Sequence, residues 1–341
     1  MLSPSGNPPI IIPNLKSSIS KMPLPDQPRP LVVILGPTAV GKTETALQLA
    51  ERLDGEIISA DSRLFYRGMD IGTAKPSAQE LARVPHHLVD VADPDEIWSL
   101  AMFQQAAHAA IAEIQSRGRL PFLVGGTGQY IRAVTEEWEI PGAAPNHPLR
   151  EALENWAVQV GPAGLHDRLA ILDPEAAERI DPRNLRRSIR ALEVILQTGE
   201  KFSSQKSRGI SRYRLLQLGL NRPRPELYAR IDARIQGMLD AGFVAEVQAL
   251  LAAGYGPELP SLSAIGYRQM IQYLQGEIDL AEAVMLMKRI TRQFVRRQAN
   301  WFKPDDPQIN WFSAGSEAVD QMESVIRKFL VKKYADSNLK R

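Results

Sequence analysis

The 341 residues include no cysteine, which excludes disulfides, a thiolate nucleophile and cysteine-ligated zinc. A cysteine-free chain fits a reducing compartment, and a cytoplasmic location is expected. No apolar run approaches the roughly 18 residues of a membrane span, so no membrane segment is expected. Acidic residues are almost missing from the first 30 positions, where Asp26 stands alone among prolines and serines. Beyond the short Ile10 to Ile12 run this stretch has no strand or helix periodicity, and residues 1–30 read as a disordered leader. Its single arginine argues against a transit peptide. Charged residues at 23% and hydrophobic ones at 44% are ordinary for a globular chain, long enough for one large domain with an insertion or for two domains.

The charge that is present is unevenly spread. Between Arg183 and Arg234 stand 11 Arg and 2 Lys against four acids, a net +9, which leaves −7 for the rest of a chain whose total is +2. Such local basicity suits a phosphate-rich partner, or a solvated basic face.

Leu31 to Leu35 is an apolar run that enters Gly36, Pro37, Thr38, Ala39, Val40, Gly41, Lys42 and Thr43, followed by a helical pattern. The spacing G-x-x-x-x-G-K-[ST] between a strand and a helix is that of a P-loop. Its amides and helix N-terminus would hold phosphate oxygens, Lys42 would add a point charge, and the Thr43 hydroxyl suits Mg²⁺. The motif signifies polyphosphate binding without distinguishing a nucleotide such as ATP from other diphosphates.

Glu56 to Asp61 reads as a strand ending in a carboxylate, which places Asp61 at the mouth of the same crevice. A helix cap and a Walker B magnesium ligand are equally compatible with that position. Adjacent His86 and His87 on a strand would point to opposite faces and make poor joint ligands. Leu120 to Val124, a further strand, runs into Gly125-Gly126-Thr127-Gly128 where a motor or switch NTPase would carry an Asp, and the glycines suggest close backbone approach to a ligand. From about Pro141 to Ser204 the chain reads as helices over Leu149–Val158, Gly164–Leu172, Pro174–Ile180 and Asn184–Gln197. Asp173-Pro174 and Asp181-Pro182 serve there as start signals. Arg183, Arg186, Arg187 and Arg190 recur there on one face. Arg214 to Asn221 resembles a strand returning to the sheet, and Ala281 to Phe302 one long helix; Val325 to Val331 is a short helix at most. The expected architecture is α/β: a P-loop NTPase-like parallel sheet flanked by helices over 31–140 and 205–315, a helical insertion over 141–204, and a tail over 316–341.

The motifs in series resemble the tRNA dimethylallyltransferase (tRNA isopentenyltransferase) family. They are the P-loop, Ser59-Ala60-Asp61-Ser62, Tyr66 to Pro76, Gly125-Gly126-Thr127, Arg190 to Val194, Ile265 to Arg268, Thr291-Arg292-Gln293 and Arg297-Gln298. The resemblance implies a prenyltransferase that moves a dimethylallyl group from dimethylallyl diphosphate to the exocyclic amine of the adenosine 3′ of the tRNA anticodon. It implies Asp61 as general base, Thr38 and Arg234 on the diphosphate, and Mg²⁺ held through Thr43. It places tRNA contacts at Asp61, Ser62, Arg63, Leu64, Thr127, Arg150, Arg186, Arg187, Ser188, Ile189, Arg190, Ser263, Ala264, Ile265, Gly266, Tyr267 and Arg268, with the helical insertion gripping the anticodon stem-loop. An open basic surface leads us to expect a monomer. Three other readings share parts of the pattern: a P-loop kinase of a small metabolite, an adenylate isopentenyltransferase acting on free nucleotides, and a non-catalytic RNA-binding protein with a nucleotide switch.

Overall fold

The computed structural model describes residues 28–140, 146–204 and 209–338. The chain forms two compact units, one running to Ile131 and resuming at Arg212, the other Arg132–Ser211. The first strand, β1 (Arg29–Leu35), starts inside the stretch read as leader; the remainder of that leader, 1–27, lies outside the described residues.

In the first unit β1 is followed by α1 (Lys42–Arg52), β2 (Gly55–Ser59), α2 (Ala78–Arg83), β3 (His86–His87), α3 (Leu100–Ser116) and β4 (Leu120–Gly125). Helix α4 (Gly128–Thr135) carries the chain into the second unit, which holds α5 (His147–Leu172), α6 (Pro174–Arg179) and α7 (Leu185–Thr198). The first unit then resumes with β5 (Tyr213–Asn221), α8 (Arg224–Asp240), α9 (Phe243–Ala252), α10 (Tyr267–Leu274), α11 (Leu280–Ala299), β6 (Ile309–Ser313) and α12 (Ala318–Asn338). No helix among the described residues is long and apolar enough to cross a membrane.

The six strands form one parallel sheet in the order β3-β2-β4-β1-β5-β6. Continuous apolar runs are what a parallel sheet covered on both faces demands, and Leu31 to Leu35 are all 0% exposed. The register brings the carboxyl ends level: Leu35 pairs with Gly125 on one side and with Gly219 on the other, and Ser59 with Val124. Gly36, Asp61 and Gly125 therefore open at one edge, where ligands of open α/β sheets bind.

The tail differs from expectation. Helix α12 has 21 residues, because Ala318, Val319, Met322 and Ile326 form a buried stripe at helical spacing. Arg52 on α1 pairs with its Asp320 and Glu323 at 2.6 and 3.1 Å, and the Arg214 guanidinium donates to Phe329 O at 2.7 Å while lying 4.1 Å over that ring.

The second unit is helical, as its β-poor composition led us to expect. Helix α5 is interrupted at Gly161, whose φ of +75° precedes Pro162, so the two helices read on either side of it are real. Asp173 caps α6, accepting from Ala176 N at 3.1 Å; Asn184, not Asp181, caps α7, and Asp181 instead accepts from Arg183 N at 2.9 Å. Leu153, Leu165, Leu169, Ile189 and Leu192 share the core. Beside it Glu193, 0% exposed, accepts from Asn146 N, Arg150 Nη2 and Arg190 Nη1, each at 2.8 Å.

Candidate active site

The turn after β1 is forced by packing. Gly36 has φ +148°, and a Cβ there would lie 2.5 Å from Leu220 O at the end of β5. Gly41, φ +114°, precedes α1 without supplying a side-chain cap, which leaves the first amides of an 11-residue helix for an anion. Lys42 Nζ donates to Pro37 O at 2.8 Å, and Arg230 Nε on α8 donates to Ala39 O at 2.8 Å. The Val40 side chain is buried, so it serves the cradle through its backbone alone.

Across the sheet edge Asp61 follows β2, and its Oδ1 accepts from Arg63 N at 3.0 Å, closing a tight turn. Thr38, Lys42, Thr43, Asp61, Arg230 and Arg234 line one cleft of about 460 Å³. Burial lowers the Lys42 ammonium from its ordinary value to about 8, against the opposing pull of Asp61. Burial likewise lowers Arg234, again with Asp61 favouring its charged form. Asp61 thus faces both cations closely enough to feel them.

That lowered value makes a pH prediction. Lys42 is charged below about pH 8 and loses its proton above it, so affinity for inorganic diphosphate should weaken through that range. Lys42→Arg keeps its charge and should lack this component. Calorimetric titrations of the two proteins between about pH 7 and 9.5 measure the difference, in which the ligand's own ionisation cancels. Parallel curves would disprove it.

The glycine cluster after β4 has a different cause from the one expected. A Cβ on Gly125 would lie 2.5 Å from Ala60 O, on Gly126 2.4 Å from Gln298 Nε2, and on Gly128 2.3 Å from Trp301 Cγ. The glycines admit neighbouring strand backbone and the end of α11; only Gly125 of these three also lines the cleft. Gln298, 4% exposed, donates from Nε2 to Gly126 O at 3.0 Å and accepts from Thr38 N at 2.9 Å, tying the P-loop to the turn that carries Thr127. The sequence places Arg230 beside Arg234 on one side of its helix but assigns neither Arg230 nor Gln298 a role at the site. The available signals were the spacing of Arg230 one turn before Arg234 and a polar residue on the buried stripe of α11.

The residues assigned to tRNA fall in both units. In the first, Arg63 Nη1 donates to Pro260 O and Ser261 O at 3.1 and 3.2 Å, which joins Asp61–Leu64 to the segment holding Ser263 and Arg268, both exposed. Ala264 at 3% and Tyr267 at 0% exposure are core residues, and Gly266 is buried, so no side chain of theirs reaches a partner. In the second unit Ser188 and Ile189 are likewise buried at 0% and 4%, Ile189 packing in the core and Ser188 Oγ lying 3.3 Å from His166 Nδ1. Arg150 and Arg190 turn to Glu193, while Arg183, paired with Asp181, stays exposed together with Arg186 and Arg187 on the face read as basic. The paired histidines diverge as expected: His86 Nδ1 meets Val84 O at 2.8 Å and His87 Nε2 meets Glu56 at 2.7 Å.

Among the described residues no group of three or more His, Asp or Glu could hold a metal ion by itself. The exposed Thr43 hydroxyl at the cleft would suit a hard cation that keeps water and takes its other ligands from a diphosphate.

A phosphate cradle at the carboxyl edge of a parallel sheet, with a carboxylate facing its cations, defines a P-loop-type group-transfer enzyme. Residues 64–305 match the model of the IPP transferase family and residues 30–91 that of isopentenyl transferases. The tRNA dimethylallyltransferase of Roseiflexus sp. (strain RS-1) is 50% identical over 301 residues, 88% of this chain and 99% of its own. Among solved structures, the full-length tRNA isopentenylpyrophosphate transferase from Bacillus halodurans is 42% identical with a TM-score of 0.68, over 91% of this chain and 99% of that one. A eukaryotic dimethylallyltransferase, seen acting on tRNA, is 26% identical with a TM-score of 0.75, over 91% of this chain and 80% of that one. The chain belongs to the tRNA dimethylallyltransferase family and is a prenyltransferase.

Proposed function

We propose that the protein transfers the dimethylallyl group of dimethylallyl diphosphate to N6 of the adenosine 3′-adjacent to the anticodon of tRNA, in the cytoplasm and as a monomer. The observation that carries this reading is the single cleft in which Asp61 faces Lys42, Arg234 and Thr38. N6 attacks C1 of the allyl group, the C1–O bond breaks, the proton of the amine passes to the Asp61 carboxylate, and diphosphate leaves. An adenine amine is a weak nucleophile, so a positioned carboxylate matters on its side. The leaving group gathers negative charge, which the α1 amides, Lys42, Arg230 and Arg234 would meet. Mg²⁺, held by Thr43 and the diphosphate oxygens, would neutralise part of that charge.

A stacked adenine cannot reach such a cleft and must leave the loop. Grip on the stem is assigned to exposed cations, and Arg186 and Arg187 answer that description in the helical unit. Replacing both by Ala should weaken tRNA binding and reduce the slope of log K against log salt by about 1.5. Filter binding between about 50 and 200 mM salt measures it, and an unaltered slope would remove this face from the contact.

Labelled dimethylallyl diphosphate offered with Mg²⁺ to unmodified tRNA and, separately, to AMP tests the function itself. Label in tRNA alone is expected. Label in AMP would move the protein to the free-nucleotide branch, and ATP turnover without label in either would make it a kinase.

A further inference from the structure

The segment from Tyr66 to Pro76 has no helix or strand, yet it is held from several sides. Asp70, Ile71 and Gly72 turn three successive amides toward one point, and the Glu246 carboxylate on α9 occupies it. Its Oε2 accepts from Asp70 N at 2.9 Å and Ile71 N at 2.6 Å, and its Oε1 from Gly72 N at 3.2 Å and the Tyr267 hydroxyl at 2.6 Å. Such a concavity of amides is an anion site, here filled by the protein's own side chain. Burial, with the adjoining carboxylate, raises the Tyr267 phenol, which keeps it a donor. Phe243 and Tyr267, edge to face at 5.0 Å, close the floor: a Cβ on Gly72 would lie 2.2 Å from one ring and 2.5 Å from the other. The next residue, Thr73, offers its carbonyl to Arg234 Nη2 at 3.1 Å, while its hydroxyl donates to Met69 O at 2.6 Å. Lys75 donates to Tyr66 O at 2.9 Å and meets Asp70 and Asp90.

We propose that Glu246 is a positioning residue for the diphosphate: by holding the amides of Asp70, Ile71 and Gly72 it fixes the Thr73 carbonyl that aims Arg234 into the cleft. This rests on the diphosphate-binding role given to Arg234 above. A guanidinium has five N–H donors, so the one that Thr73 engages leaves others for phosphate oxygens. A long side chain anchored in advance also loses less freedom when the ligand arrives. Glu246 itself touches no substrate, and its effect must therefore pass through Arg234.

The test is a double-mutant cycle read as affinity for inorganic diphosphate with Mg²⁺, alongside thermal unfolding. Glu246→Gln puts an amide donor where only acceptors fit, and should weaken binding about tenfold. Arg234→Ala should weaken it by about thirtyfold or more, and the double variant no further than Arg234→Ala alone. A purely structural glutamate would give losses that multiply in the double variant, and that result, or an unchanged affinity in Glu246→Gln, overturns the proposal. If Arg234→Ala alone left affinity untouched, the role of Arg234 would fail first and take the proposal with it. Should Glu246→Gln not fold, Tyr267→Phe removes one donor from the same carboxylate. Its expected loss of about threefold should also vanish in the Arg234→Ala background.

Discussion

Asp61→Asn should slow dimethylallyl transfer by about 10³-fold in a single turnover while changing diphosphate affinity by less than about threefold. Asn retains the oxygen that accepts from Arg63 N, so the turn after β2 persists; what it lacks is a lone pair basic enough to take the N6 proton. Loss of a carboxylate from a cleft that binds an anion does not weaken that anion by charge repulsion, which separates this role from metal binding. Rapid mixing of preloaded enzyme and labelled donor with tRNA gives the chemical rate, and calorimetry gives the affinity. A large drop in diphosphate affinity with Mg²⁺ present would make Asp61 a metal ligand and leave the base unidentified.

Glu193→Ala should destabilise the helical unit by about 3 kcal/mol, toward the lower end for a broken buried pair because both arginines keep some access to water. Three donors lose their acceptor at once: Asn146 N at the head of α5, and the guanidiniums of Arg150 and Arg190. Burial alone would raise the Glu193 carboxyl, but its bonds to Arg150 and Arg190 and to the Asn146 amide prevail and lower it below its ordinary 4.5. Because the folded value is the depressed one, this stabilisation is complete at neutral pH and fades as pH falls below about 4.5. Urea unfolding of the full chain followed by circular dichroism should resolve the loss at pH 7, and the difference between wild type and variant should shrink by about pH 3.5. A variant as stable as wild type would mean that Arg150 and Arg190 are held by something other than Glu193.

Much of this site is legible in the sequence, because it depends on local pattern. A P-loop is short, its glycines have steric reasons that travel with the motif, and a carboxylate ending a strand lands at a known edge of the sheet. What stayed hidden depends on distant partners. Gln298 lies 260 positions from the Thr38 amide it accepts from, and Glu246 174 positions from Gly72. The motif that contains Gln298 marks the residue without naming its partner, and nothing beside Glu246 distinguishes it from other polar residues on amphipathic helices. Exposure was the second blind spot: Arg190 shares helical spacing with Arg186, yet one turns toward a buried carboxylate and the other toward water. The burial of Tyr267 and Ala264 is hidden for the same reason, since a motif does not tell a side chain that faces outward from one that holds the turn in place. Helix α12 is longer than the Val325–Val331 stretch read for it because its narrow buried stripe begins earlier, at Ala318 and Val319.

The strand order has a consequence for how the chain assembles. Strand β1 lies between β4 and β5, so Leu31 must wait for Leu215, whereas the second unit is built wholly from Arg132–Ser211. On the ribosome the helical unit can therefore close while the phosphate-binding strand still has one open edge, five buried apolar residues long. Pairings so remote in sequence form slowly, and an apolar strand edge left waiting invites association with other chains. Completion of the cradle is in this sense a late event: Leu220, whose carbonyl packs against Gly36, and Gln298, which accepts from Thr38, both arrive after the helical unit has been made.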